Sequence, residues 1–210
     1  MAGLITGIDA GRVRENLARI RAELPDGVEI LAAVKYVPLE ELRTLADAGI
    51  TLVGENRAQD LEAKATAYPD VFRWHFIGQL QSRKVKQILP HVELIHSVAS
   101  DSALRQLERH GTPETEILVE VNVAGDDGKA GIAPAELGSF IARSPVRVVG
   151  LMTMPPFTED PEASRPVFAR LRELAGEHGL RHLSMGTSQD YRVAAEEGAT
   201  IVRLGTILYA

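Results

Sequence analysis

Eight short runs rich in valine, isoleucine and leucine alternate with longer amphipathic stretches, and this alternation limits the fold more than any other feature. The runs cover residues 28–34, 51–53, 72–77, 93–98, 116–123, 146–154, 182–185 and 200–204. Several are almost continuously apolar, as expected of parallel strands covered on both faces; the second, fourth and seventh are short. Between them lie helical patterns. Val13, Leu17, Ile20 and Leu24 recur at helical spacing before the first run, with Asp9 positioned as a cap. Leu39, Leu42 and Leu45 follow the first run and stop at Gly49. Residues 100–110 end at Gly111, residues 161–178 carry Val167, Phe168, Leu171 and Leu174 and end at Gly179, and residues 193–197 end at Gly198. Repeated strand, helix, glycine and strand predicts right-handed βαβ units and a parallel sheet. Eight such strands favour a closed (β/α)8 TIM barrel over an open doubly wound sheet. No eighth helix is expected between the last strand and Ala210, and the extra N-terminal helix is placed to cover that gap.

At 210 residues the chain is short for such a barrel but within its range. No Pro/Ser-rich linker divides it, and residues 125–134 and 155–161 read as loops inside one domain. Lys and Arg number 23 against 29 Asp and Glu, a net charge of −6, which makes nucleic acid and anionic membranes poor default partners. The absence of cysteine excludes disulfides, a cysteine nucleophile and thiolate zinc sites. No apolar run is long enough to span a bilayer, and residues 1–9 lack a secretory pattern. The expectation is a soluble, cytoplasmic protein.

A barrel places its chemistry at the C-terminal ends of its strands. Those ends carry Lys35; Glu55 and Asn56; Gln79; Ser97; Asn122; Thr153; Gly186, Thr187 and Ser188; and Arg203, Gly205 and Thr206. A polar ring also follows simply from loops beginning where strands stop. Within it, Lys35 stands out. It follows an uncharged run, and strand alternation puts Leu31, Ala33 and Lys35 on one face. If that face lines the barrel, desolvation lowers the lysine pKa and favours imine chemistry. The alternative is a lysine that snorkels to water from a strand end.

The tail supplies the second feature. Gly186-Thr187-Ser188 follows the seventh strand and Arg203-Leu204-Gly205-Thr206 closes the eighth. Barrels often bind phosphate with these two loops, where glycine admits close backbone approach and amides and hydroxyls donate. With a helix starting near Gln189, Ser188 falls at a helix N-terminus suited to an anion. Plain turns or caps explain each pair taken alone. Other chemistries find less support. Gly128-Lys129-Ala130 lacks P-loop spacing, no G-x-G-x-x-G follows a strand, and Gly186-Thr187-Ser188 does not continue as a nucleophile elbow. The histidines show no H-E-x-x-H pattern, so no metal site is expected. His75 is expected as a satisfied core histidine, with pocket lining as the alternative. Arg83, Lys84 and Lys86 read as a solvated helix face.

Several segments in order resemble the pyridoxal phosphate homeostasis protein family, whose fold is like the alanine racemase N-terminal domain. They are Leu31-Ala32-Ala33-Val34-Lys35, Gly54-Glu55-Asn56, WHFIGQLQ beginning at Trp74, Lys129-Ala130-Gly131, Gly150-Leu151-Met152, LSMGTSQD beginning at Leu183, and Val202-Arg203-Leu204-Gly205-Thr206. The resemblance spans nearly the whole chain and implies one alanine racemase-like barrel domain over residues 1–210 that binds pyridoxal 5′-phosphate (PLP). It implies that Lys35 carries PLP as a Schiff base, that Ser188, Gly205 and Thr206 hold the phosphate, that Arg203 faces the pyridine nitrogen, and that Asn56 approaches the polar groups beside the ring. Departures from the family pattern are Thr187 in place of a common methionine, Tyr36 after the lysine, Arg57 where an aromatic is common, and an end at Tyr209-Ala210 where relatives often continue.

The resemblance implies a role in intracellular PLP homeostasis, with the cofactor buffered and delivered to apo PLP-dependent enzymes, without established turnover. An arginine at the pyridine nitrogen keeps that nitrogen unprotonated and weakens the electron sink that racemisation needs. The runner-up is a PLP-dependent amino-acid racemase of low activity. A third reading is a phosphate-binding barrel enzyme in which Lys35 forms a Schiff base with a sugar or keto substrate. A monomer is the expected state.

Overall fold

The structure, a computed structural model, describes residues 3–125 and 130–210. Helix α1 (Ala10–Glu23) begins at Asp9, whose side chain accepts the Arg12 N–H at 2.7 Å, and it buries Val13 and Ile20. The chain then runs through β1 (Glu29–Ala33), α2 (Leu42–Asp47), β2 (Leu52–Glu55), α3 (Ala58–Ala67), β3 (Arg73–Phe76), α4 (Val85–Ile88), β4 (Leu94–Val98) and α5 (Asp101–His110). It continues through β5 (Glu116–Glu120), α6 (Leu137–Ala142), β6 (Arg147–Met152), α7 (Arg165–Glu177), β7 (His182–Ser184), α8 (Tyr191–Glu196), β8 (Ile201–Leu204) and α9 (Thr206–Tyr209). Among the described residues no helix is long and apolar enough to cross a membrane.

The eight strands close in sequence order into one parallel barrel, with β1 pairing to both β2 and β8. Each expected strand is present; seven are trimmed by one to three residues, whereas β2 starts one residue late and runs past Val53 to Glu55. Strand alternation sorts the apolar side chains into two layers. Leu31, Leu52, Leu94, Leu118, Met152 and Ile201 pack inside the barrel. Their strand neighbours, including Ala32, Val53, Ile95, Ile117, Leu151 and Val202, pack outward against the helices. At the N-terminal end of the barrel, Arg73 bridges Glu29 at 2.6 Å and Glu93 at 2.8 Å.

The structure corrects three expectations. A short helix, α9, does follow the last strand; Asn16 of α1 holds it by donating to the Leu208 and Ala210 carbonyls at 3.3 and 2.9 Å. Four residues are too few to show a periodic pattern. Helix α8 starts at Tyr191 rather than near Gln189, so Ser188 lies in the turn ahead of it. Strand β1 ends at Ala33, which leaves Lys35 in a turn two residues later.

Candidate functional site

Register brings the chain's two best candidate segments to one mouth. Ala33 of β1 lies opposite Gly54 of β2, while Leu31 and Ala32 lie opposite Arg203 and Leu204 of β8. Lys35 and Asn56 therefore leave adjacent strands at the same level, with Gly205 and Thr206 leaving on the other side of β1. Lys35 is exposed, and its ammonium lies 4.9 Å from the Tyr36 ring centroid. It lines a groove of about 410 Å³ with Tyr36, Arg57 and Lys64. Of the two readings, the structure shows the lysine that reaches water from a strand end. The Val37 N–H closes a turn onto the Val34 carbonyl at 3.0 Å, and that turn carries Lys35 over the rim toward water.

The wall behind Lys35 is ionic. Lys64 of α3 donates to the Val34 carbonyl at 2.7 Å and to Glu55 Oε2 at 2.6 Å, with both side chains buried. Glu55 Oε1 accepts the Asn56 and Arg57 N–H groups at 2.7 and 3.3 Å. One ion pair thus ties the β1 exit to the β2 exit. Glu55 accordingly faces the helix layer rather than the mouth, because it is out of phase with Gly54 and Asn56 on the strand. Spacing from Leu61 could have placed Lys64 on the buried face of α3.

Asn56 is half-buried, and its Oδ1 is buried with no hydrogen-bond partner. Such an acceptor is costly unless something donates to it. Gly78, after β3, allows the close approach here: a Cβ on it would stand 2.2 Å from the Asn56 carbonyl oxygen. Other members of the predicted polar ring serve the backbone. The Ser97 hydroxyl donates to the Gly78 carbonyl, and Thr153 Oγ1 donates to the Val121 carbonyl at 2.9 Å. Gln79 is exposed. Asn122 N donates to the Ile132 carbonyl at 3.0 Å, and Asn122 lines a cavity of about 290 Å³ with Glu120 and Thr153. Lys129, from the Lys129-Ala130-Gly131 motif, and Gly128 lie outside the described residues.

The two tail loops meet. Ser188 Oγ accepts the Gly205 N–H at 3.3 Å, and Thr206, exposed, is the first residue of α9. A Cβ on Gly205 would meet nothing within 4 Å, so open space faces it. Thr187, in contrast, is engaged within its own turn: its N–H and hydroxyl donate to Asp190 Oδ1 at 2.7 and 3.1 Å.

Arg203 is 6% exposed and anchored inside the barrel. Its Nη1 donates to the Ser184 carbonyl at 2.8 Å and Oγ at 2.6 Å, and its Nη2 donates to the Thr153 carbonyl at 3.0 Å. Burial pushes the guanidinium down to about 10, with Glu120 and Asp190 opposing, so it remains a cation near neutral pH. Burial raises the Glu120 carboxyl in turn, and the Arg203 charge works against that rise. His75 is a buried, hydrogen-bonded core histidine, 2.9 Å from His96. The sequence reading assigned no role to His96 or Ser184.

The whole described fold has close counterparts. The family model of the alanine racemase N-terminal domain matches residues 8–210. The pyridoxal phosphate homeostasis protein of Aquifex aeolicus is 43% identical, over 86% of each chain. That of Pseudomonas aeruginosa is 36% identical, over 94% of each. The structure of PipY from Synechococcus elongatus with PLP bound matches with a TM-score of 0.83 at 33% identity, covering 94% of this chain and 100% of PipY. The lysine/ornithine decarboxylase of Vibrio vulnificus, at 17% identity and a TM-score of 0.72, covers 96% of this chain and 62% of its own, and shares the fold.

Proposed function

The chain belongs to the pyridoxal phosphate homeostasis protein family, and from that premise we propose that residues 1–210 act as one barrel domain that binds PLP through Lys35, buffers it, and delivers it to apo-enzymes. The observation that carries this reading is the register that sets Lys35 between Asn56 and the Arg203–Thr206 end of β8.

The residues present fit that cofactor. When bound, PLP supplies an aldehyde that condenses with a primary amine, a phosphate, and an electron-withdrawing pyridine ring. Lys35 offers an amine at the rim, where water and incoming cofactor reach it. Ser188 and Thr206 offer hydroxyl donors beside the open space at Gly205, which suits the phosphate. Asn56 Oδ1, a buried acceptor without a partner, suits a hydroxyl or N–H beside the ring. Arg203 has only donors, so it hydrogen-bonds an unprotonated pyridine nitrogen. A ring held that way is a weak carbanion stabiliser, which favours carriage over racemisation. The exposed position of Lys35 suits release of the cofactor as well as capture. We place this activity in the cytoplasm and in a monomer.

Equilibrium PLP binding tests the assignment. Lys35→Ala is expected to abolish covalent retention. A Ser188→Ala/Thr206→Val double variant is expected to lose on the order of 10-fold or more in affinity, equivalent to about 1.4 kcal/mol. Unchanged binding in both would remove the site from this mouth.

A further inference from the structure

We infer that His75 and His96 are positioning residues for Arg203, joined to it through Ser184 by a hydrogen-bond chain with one fixed direction across the barrel core. The inference deepens the proposed function, because it rests on Arg203 facing the cofactor ring.

The chain passes through four strands. Arg203 Nη1 on β8 is 2.6 Å from Ser184 Oγ on β7. That oxygen is 2.8 Å from Nδ1 of His96 on β4, whose Nε2 is 2.9 Å from Nδ1 of His75 on β3. His75 Nε2 in turn lies 3.9 Å from Oε2 of Glu93, at the N-terminal end of the barrel. Arg203, Ser184, His96 and His75 are all buried.

The Arg203 end selects the direction. A guanidinium only donates, so Ser184 Oγ accepts from Arg203. The serine hydrogen then needs an acceptor, and His96 Nδ1 is the ring nitrogen within reach. A buried donor left unmade costs about 1–3 kcal/mol. His96 therefore carries its proton on Nε2 and donates to His75 Nδ1. A neutral His75 that accepts at Nδ1 likewise carries its proton on Nε2, the nitrogen 3.9 Å from the Glu93 carboxylate and so outside hydrogen-bond reach of it. The reverse arrangement would leave the serine hydrogen unpartnered. Burial also keeps both rings neutral, and the neighbouring Arg73, Arg203 and His182 oppose a second positive charge there.

The aligned dipoles turn their acceptor ends toward Arg203. They stabilise its buried charge and, with the Ser184 and Thr153 carbonyls, hold the guanidinium in one orientation. On this account Arg203 does not swing to follow its ligand; it is set in advance, and the ring must fit it.

Long-range proton–nitrogen NMR of the 15N-labelled protein, without added PLP, reads the tautomers directly. Both His75 and His96 are expected to be neutral, protonated at Nε2, from about pH 6 to pH 8. A charged ring, or an Nδ1–H tautomer at either position, would overturn the inference. A second arm uses His96→Gln, whose amide can accept from Ser184 and donate to His75 with the same polarity, and His96→Leu, which can do neither. Leucine is expected to weaken PLP binding by ~10-fold, about 1.4 kcal/mol, and to shift the absorption band of the bound cofactor. Glutamine is expected to restore both. Equal loss in the two variants contradicts the inference, and if the leucine variant does not fold the tautomer result on the native protein decides. Failure of the native protein to bind PLP would remove the proposed function while leaving the tautomer result to judge the chain.

Discussion

The Lys64 ammonium and the Glu55 carboxylate meet 2.6 Å apart in the buried wall behind Lys35. Lys64 also holds the carbonyl of Val34, the residue before Lys35, and Glu55 holds the N–H of Asn56. A pair that on its surface resembles structural cement therefore fixes the exits of the two strands that present both residues. Removing one partner of a buried pair leaves an uncompensated charge. Lys64→Met is expected to cost about 3–5 kcal/mol in denaturant unfolding. The Glu55→Gln/Lys64→Met double variant should lose less than the single one. A single-variant loss near zero would show that the pair does not brace this wall.

Asn56 gives a prediction with opposite signs in two assays. Its unpartnered Oδ1 costs the ligand-free protein energy, so Asn56→Ala should leave thermal stability unchanged or raise it by up to about 1 kcal/mol. The same change should weaken PLP binding by ~10-fold, about 1.4 kcal/mol. Calorimetry on both forms would separate these effects. A loss of stability together with unchanged binding would reassign Asn56 as a loop cap.

The buried histidines make the barrel sensitive to acid. Burial pushes His75 down to about 3, and His96 is also held well below its ordinary value. Between pH 6.5 and 3 the unfolded chain binds more protons at His75 than the folded one, and His96 acts in the same direction. Stability therefore rises with pH across that window and is lost as pH falls through it. The slope from His75 is at most about 1.4 kcal/mol per pH unit. His75→Phe should flatten the dependence of unfolding free energy on pH between pH 6.5 and 4. An unchanged slope would place the acid sensitivity elsewhere.

Much of this is legible in the sequence. Eight apolar runs and their glycine stops specify a barrel because a parallel strand buried on both faces has little alternative to β-branched and aliphatic residues. Ser188 and Gly205 can be named together from the sequence because the loops after the last two strands of a barrel are neighbours. Lys35 stands out in the sequence, but the choice between a lined pocket and a rim lysine stays open there, since strand alternation says which face a residue takes and not whether the strand reaches it. Lys64 was passed over because a helix lysine is exposed by default. The meeting of His75 with His96 depends on the β3–β4 register, and that of His96 with Ser184 on barrel closure, neither of which a local pattern encodes.

The Arg203 cation predicts weak carbanion chemistry. Incubation with a range of amino acids in heavy water should leave Cα unexchanged while PLP stays bound. Steady deuterium incorporation would instead favour the low-activity racemase.

The most direct measurement is borohydride reduction of the PLP-loaded, desalted protein, followed by peptide mass mapping. Lys35 is exposed at the rim, whereas Lys64 beside it is buried and held by Glu55 and Val34. The account predicts a retained yellow band that borohydride bleaches, with one adduct, on Lys35. A colourless protein, or an adduct on Lys64 or on scattered surface lysines, would contradict it.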